Sequence, residues 1–183
     1  MDDLKLFKRF DSELPVKAPG DFSWFGFPEA DKRKGVMSRE TLLGRIAELK
    51  TADLLLNGNA LGNCSFPFLL EILTSLSSAD SVTHLALMHN LLDKQSVSHL
   101  VTFFSRIPPA IQILDISHNR LGKTFDFQEF QQVMAAIPET VHTINLYKNQ
   151  FGTYEKVDRE RFLEQFSDRF NFQPTGSNLL FNK

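Results

Sequence analysis

Apolar residues recur along this chain at two spacings, and the two alternate. Four octamers carry the first: LLLNGNAL (Leu54–Leu61), LALMHNLL (Leu85–Leu92), LDISHNRL (Leu114–Leu121) and INLYKNQF (Ile144–Phe151). Each reads L-x-L-x-x-N-x-L, with Ile or Phe sometimes in place of Leu. Alternation of apolar and other residues is the period of a strand with one face buried. Between the octamers the spacing changes. Phe66, Leu69, Leu73 and Leu76 are followed by Val97, Leu100, Phe104 and Ile107, then by Phe127, Phe130, Met134 and Ile137. Offsets of 0, 3, 7 and 10 mark one face of an amphipathic helix. The second and third helices run into IPPA (Ile107–Ala110) and IPET (Ile137–Thr140), where proline forbids continuation. Val82, Ile111 and Val141 then open the next strand.

The repeating unit is therefore a short strand, a turn, a helix and a return loop. The four asparagines, Asn59, Asn90, Asn119 and Asn149, recur every 29 to 31 residues. No single unit can cover its own apolar face, so the units must stack side by side. The expected fold is an α/β solenoid with short parallel strands on the concave side and helices on the convex side. Each Asn follows the strand where the chain turns out of it. Its amide can bond main-chain groups of adjacent turns that stacking would otherwise bury bare.

On these octamers and their helical spacers the chain resembles leucine-rich-repeat proteins with long, ribonuclease-inhibitor-like repeats. The Pro-terminated helix followed by V/I-x-x-L-x-L is also similar in style to small leucine-rich-repeat effectors of Legionella-type intracellular bacteria. The first resemblance spans Leu54 to about Phe170. It implies a protein-binding module. The second implies a bacterial effector, made in the bacterial cytoplasm and delivered into the host cytosol, that blocks or captures a host protein or another effector.

The two ends differ from the middle. Residues 1–37 lack the repeat and concentrate aromatics (Phe22, Trp24, Phe25 and Phe27) among prolines. They are expected to cap the raw apolar end of the solenoid, or to anchor a partner through side chains such as Trp24. Ser38 then caps a helix striped by Leu42, Leu43, Ile46 and Leu49, an incomplete first unit, so the repeat domain is drawn at 38–170. Val157, Phe162, Phe166 and Phe170 suggest a last helix whose register slips by two residues. Residues 171–183 form a tail, whose end GSNLLFNK (176–183) adds a partial strand or hangs free.

Composition narrows the chemistry. The 183 residues carry 20 Lys+Arg against 22 Asp+Glu, a net charge of −2, which offers no broad basic surface for nucleic acid. No apolar run reaches the ~18 residues a membrane span needs, and the N-terminus has no secretory signal core. The single cysteine, Cys64, sits in a strand-to-helix turn, where a small core residue is the expected role. Five histidines show no metal-ligand spacing, and no phosphate loop or nucleophile elbow is present. His89 and His118 hold the same place in adjacent units, one strand apart, with Asp115 near. That is the one arrangement from which a metal site could be imagined. No cofactor and no catalysis are expected, and the free protein is expected to be a monomer.

The outward strand positions then define the candidate face. In register they form columns: Asp53, His84, Ile113 and Thr143; Leu55, Ala86, Asp115 and Asn145; Asn57, Met88, Ser117 and Tyr147; Gly58, His89, His118 and Lys148. The inward positions keep their type while these vary, as on a scaffold presenting a chosen surface. Met88 and Tyr147 are the expected exposed anchors, with Leu55 and Ile113 beside them. Four strands at ~4.8 Å and three or four residues at ~3.3 Å give a patch of only about 200 Å² in plan. A stable protein complex needs roughly 800 Å² per partner, so a partner must also touch the flanking turns or the aromatic arm. The leading reading is a non-enzymatic module that captures or occludes a protein. A recruiting adaptor bridging two proteins is the alternative, and a Cys- or metal-dependent hydrolase stands behind both.

Overall fold

A computed structural model describes residues 39–167, together with the strands Phe22–Ser23, Val36–Met37 and Asn171–Phe172. The strands are β1 (Phe22–Ser23), β2 (Val36–Met37), β3 (Asp53–Leu55), β4 (His84–Ala86), β5 (Ile113–Asp115), β6 (Thr143–Asn145) and β7 (Asn171–Phe172). The helices are α1 (Arg39–Ala47), α2 (Phe66–Leu76), α3 (Val97–Phe104), α4 (a single turn, Leu121–Thr124), α5 (Phe127–Ala135) and α6 (Lys156–Phe166). Strands β3 to β7 form one parallel sheet in chain order, with the x positions of successive L-x-L motifs in register: Leu55 beside Ala86, Ala86 beside Asp115, Asp115 beside Asn145. β1 and β2 pair antiparallel as a separate ribbon, Phe22 beside Met37.

The core lies between sheet and helices. Leu54, Leu85, Leu114 and Ile144 point into it from the strands and are wholly buried. Leu69, Leu73 and Leu76, and their counterparts in α3 and α5, meet them from the other side. The helices start at equivalent positions, each preceded by an N-cap: Ser65, Ser96, Asp126 and Glu155. Ser96 Oγ accepts from the His99 amide, and Asp126 forms a reciprocal capping box with Glu129.

Two expectations are corrected. The last helix does not slip by two residues. Lys156 aligns with Phe66, Val97 and Phe127 at the helix start, and Phe162 and Phe166 keep the sixth and tenth inward offsets. What changed is the other inward offsets, where Arg159 and Leu163 stand. Val157 points outward, 45% exposed, because it stands at offset one, the place of the exposed Pro67, Ser98 and Gln128 in the earlier helices. The helical stripe also includes a position the 0, 3, 7, 10 pattern omits: Ile72, Phe103, Val133 and Phe162 at offset six are all buried. The sheet also has a fifth strand, Asn171–Phe172, which pairs with β6. Phe170 lies outside the described residues.

Candidate partner-binding face

The face is set by the row of asparagines beneath it. Asn90 Oδ1 accepts from the Asn59 amide at 2.9 Å, Asn119 Oδ1 from the Asn90 amide at 2.9 Å, and Asn149 Oδ1 from the Asn119 amide at 3.1 Å. Each Oδ1 also takes the amide two residues further on, of Leu61, Leu92 and Leu121. The Nδ2 groups return to carbonyls of their own strand and the one before, as Asn119 does to Ile116, Ser117 and Leu87. All four asparagines are essentially buried. A second tie runs on the other side of the turns. Gln95 Nε2 donates to the Gly62 and Cys64 carbonyls, and Tyr154 Oη donates to the Phe125 carbonyl. This column of Cys64, Gln95, Phe125 and Tyr154 was not apparent from the sequence, because its residue types share no chemistry. Burial raises the Tyr154 phenol well above its ordinary value.

Two residues per turn flank each Asn with φ near +60°. They are Gly58 and Ala60, His89 and Leu91, His118 and Arg120, and Lys148 and Gln150. Side chains before the Asn consequently rise at the rim of the sheet. There the His89 and His118 rings pack at a tilt of 32° with centroids 4.0 Å apart, His118 meets Tyr147 edge-on at 5.6 Å, and the Lys148 ammonium lies 5.2 Å from the Tyr147 ring. The two histidines are one strand apart, and they meet as tilted, packed rings. Among the described residues no group of three or more His, Cys, Asp or Glu could hold a metal ion. Cys64 is partly buried against the core.

The sheet face itself is less open than its register suggests. Leu55, Ile113, Asn145 and Tyr147 are partly exposed and Lys148 is exposed. Asn57, His84 and Ser117 are buried, Met88 is 5% exposed and Asp115 2%. Met88 is therefore not an exposed anchor, whereas Tyr147 remains available. Part of the burial is local bonding. Asn57 Oδ1 accepts the Met88 amide at 2.8 Å, and Asp115 accepts from the Ser117 amide at 2.8 Å and from Asn145 Nδ2 at 2.9 Å. Asn145 Oδ1 repeats the motif with the Tyr147 amide. His84 Nδ1 stands 2.7 Å from Asp53 Oδ1. Desolvation pushes the Asp115 carboxyl above its ordinary value, against the pull of its hydrogen bonds to Ser117 and Asn145 and of His84. Trp24 lies outside the described residues.

No protein-family model matches the chain, and no curated protein matches it. Among solved structures it is similar to the leucine-rich repeat-containing protein LegL7 from Legionella pneumophila, with 30% identity over 62% of this chain and a TM-score of 0.57. The chain spans about a third of that protein's length, 35%. A looser likeness, 12% identical with a TM-score of 0.46, is to the C-terminal domain of Caenorhabditis elegans tropomodulin, covering 76% of this chain and 86% of that domain. By its repeat, its asparagine row and its parallel sheet, this chain has the fold of a leucine-rich-repeat solenoid and resembles a Legionella protein of that kind.

Proposed function

We propose that the protein is a non-enzymatic binding module that captures or blocks a target protein, acting as an effector delivered by an intracellular bacterium into its host. The observation that carries this is the contrast between the two sides of the sheet. Inward positions are Leu or Ile from β3 to β6, while outward positions vary from Ile113 to Asp115 and from Ser117 to Tyr147. The likeness to a Legionella repeat protein supports the biological setting. The contact would run from Leu55 and Ile113 across to Tyr147 and Lys148, and over the rim of His89 and His118, because the strand positions alone present too little area for a stable complex. Tyr147 is the aromatic anchor of that surface, with its ring edge on His118 and the Lys148 cation beside it. Among the described residues no helix is long and apolar enough to cross a membrane.

The test is capture. Tagged protein is incubated with host lysate, and retained proteins are identified by mass spectrometry. The Tyr147→Ala, Lys148→Glu variant should lose the specific partner while melting at an unchanged temperature. Retention of the same partner by that variant rejects this face.

A further inference from the structure

Charge is sorted between the two edges of the sheet. At the edge where the strands leave it, turns 56–64, 87–95, 116–125 and 146–154 lead to the helices. They carry Lys94, Arg120, Lys123 and Lys148, all exposed, and a single acid, Asp93. Asp93 is buried and accepts from Thr124 Oγ1 of the next turn at 3.2 Å. At the opposite edge, the return loops 48–52, 77–83, 105–112 and 136–142 carry Glu48, Asp80 and Glu139 with Lys50 and Arg106. A chain of net charge −2 thus holds a run of cations along one edge. The turns stack rung on rung, the Gly62 amide on the Asn90 carbonyl at 2.8 Å and the Gly122 amide on the Asn149 carbonyl at 2.9 Å. Lys94 and Lys123 are each the third residue of a short helical turn, Leu92–Lys94 and Leu121–Thr124, so they stand in one column a rung apart. Among the described residues no acid forms an ion pair with Lys94, Arg120 or Lys123. Like charges a rung apart repel, and the ion pairs of the fold do not offset that repulsion.

We propose that this ridge docks a short acidic run of the partner protein, an extended segment of Glu or Asp laid across the turns. The proposal rests on the reading that the adjoining face captures a protein, and it names that partner's chemistry. The ridge continues the face: Lys148 lies against the Tyr147 ring, and Arg120 follows His118 by two residues. From the second turn to the fourth is two rungs, about 10 Å at ~4.8 Å each, which three or four extended residues span at ~3.3 Å. Alternate side chains of such a run point the same way, so acids at i and i+2 meet neighbouring rungs. The strip is one turn wide, because the exposed N-caps Asp126 and Glu155 bound it on the helix side. That width suits one extended chain. A nucleic acid or an anionic bilayer would bring its phosphates over those acids as well. A second copy fits less well, since its acidic edge is broken by Lys50 and Arg106 and its Asp53 is engaged by His84 at 2.7 Å.

The test uses the full chain and a defined probe, an end-capped peptide with a run of glutamates between glycines and serines. Titrated into isotope-labelled protein at physiological salt and followed by amide NMR, it should shift the amides of residues 92–95 and 118–124 most. Lys94→Glu with Lys123→Glu should weaken binding at least about fivefold, since each reversal removes an exposed pair and adds a repulsion. Lys50→Glu with Arg106→Glu makes the same charge change at the opposite edge, ~16 Å away against a screening length of ~8 Å, and should leave binding unchanged. If the first variant melts lower, Lys94→Gln with Lys123→Gln repeats the comparison without the repulsion and should still weaken binding. Absent binding, shifts centred elsewhere, or equal loss in both pairs overturns the proposal. Tighter binding of single-stranded oligothymidylate of equal charge, or of phosphatidylserine vesicles, overturns it too, in favour of a phosphate site. So do shifts at the ridge that grow with protein concentration alone and vanish in Glu48→Lys with Asp80→Lys, which would seat a second copy there. The titration needs no host protein. Its failure therefore rejects the acidic segment and leaves capture to be judged at Tyr147.

Discussion

Removing one amide from the middle of the asparagine row should cost the solenoid much of its stability. In Asn119→Ala, the Asn90 and Leu92 amides lose the Oδ1 that accepts them at 2.9 and 3.2 Å, and the Leu87 carbonyl loses its Nδ2 donor at 2.9 Å. The Ile116 carbonyl keeps the bond from Asn149, and the Ser117 carbonyl keeps the His89 amide. Three main-chain groups are thus orphaned where Asn119 is 0% exposed. At about 1–3 kcal/mol for each buried group left unpaired, and with some water entering the gap, the loss is about 3–5 kcal/mol. Single domains hold only about 5–15 kcal/mol in all, so the variant should be marginal but measurable in the cold. The assay is urea unfolding followed by far-ultraviolet circular dichroism, with midpoint and slope fitted separately. Asn63→Ala, at an exposed residue of the short turn Leu61–Asn63, serves as the control and should change stability by less than about 0.5 kcal/mol. A fall in slope along with the midpoint would mean that units on either side of the cut unfold separately, as expected of stacked repeats. A loss in Asn119→Ala below about 1 kcal/mol at unchanged slope would refute the claim that these amides tie rung to rung.

Three further outcomes follow from local geometry. In Gly122→Ala the added Cβ would run into the Phe151 ring and Cα, so the thermal midpoint should drop steeply, by the equivalent of about 3 kcal/mol or more, as for overpacking against backbone. Arg120 is exposed with φ 61°, and Arg120→Gly should raise the urea midpoint, gaining about 0.5–1 kcal/mol from released backbone strain. Asp115 has a folded pKa raised by burial, so the folded state holds its proton more tightly than the unfolded chain does. Its contribution to stability is therefore best at low pH and is lost as pH rises from the ordinary aspartate value near ~4 through the raised one. Measured against pH, the stability of Asp115→Asn minus that of the wild type should climb across that window, whatever constant offset the lost bond to Asn145 introduces. A flat or falling difference would contradict the direction.

The rungs were legible because their physics is local. An apolar residue on either side of an outward one, followed by Asn, demands a strand and then a turn whose amides need a partner, and four copies in register leave little else. The helices were legible for the same reason, but only at the offsets where every copy agreed. Position six was missed because Ile72, Phe103, Val133 and Phe162 sit beside the stripe that defined the period. The last helix was misread because Val157 was forced onto a face that Lys156 and Arg159 had already abandoned. The two-residue strand Asn171–Phe172 has too little pattern to show itself, and exists because β6 offers an unpaired edge. The openness of the concave face was beyond the sequence altogether. Whether Met88 or Asp115 meets water depends on what lies over them, and no octamer records that.

The rim of the face sets full side chains where its backbone favours glycine. Each turn bends through two residues at positive φ, and of eight such positions glycine holds one, Gly58. Glycine takes this conformation without strain, whereas other residues are strained there by roughly 1 kcal/mol or more. The Asn bonds on either side over-determine the turn, so the strain can be carried. Nothing in the turn's own hydrogen bonding asks for an imidazole at His89 or His118 or an ammonium at Lys148, because those bonds come from main chain and Asn. Yet the side chains are kept, and they assemble with Tyr147 into a continuous row of rings ending in a cation. A fold selected for stability alone would place glycine at these positions. The row therefore supports use of the rim by a partner.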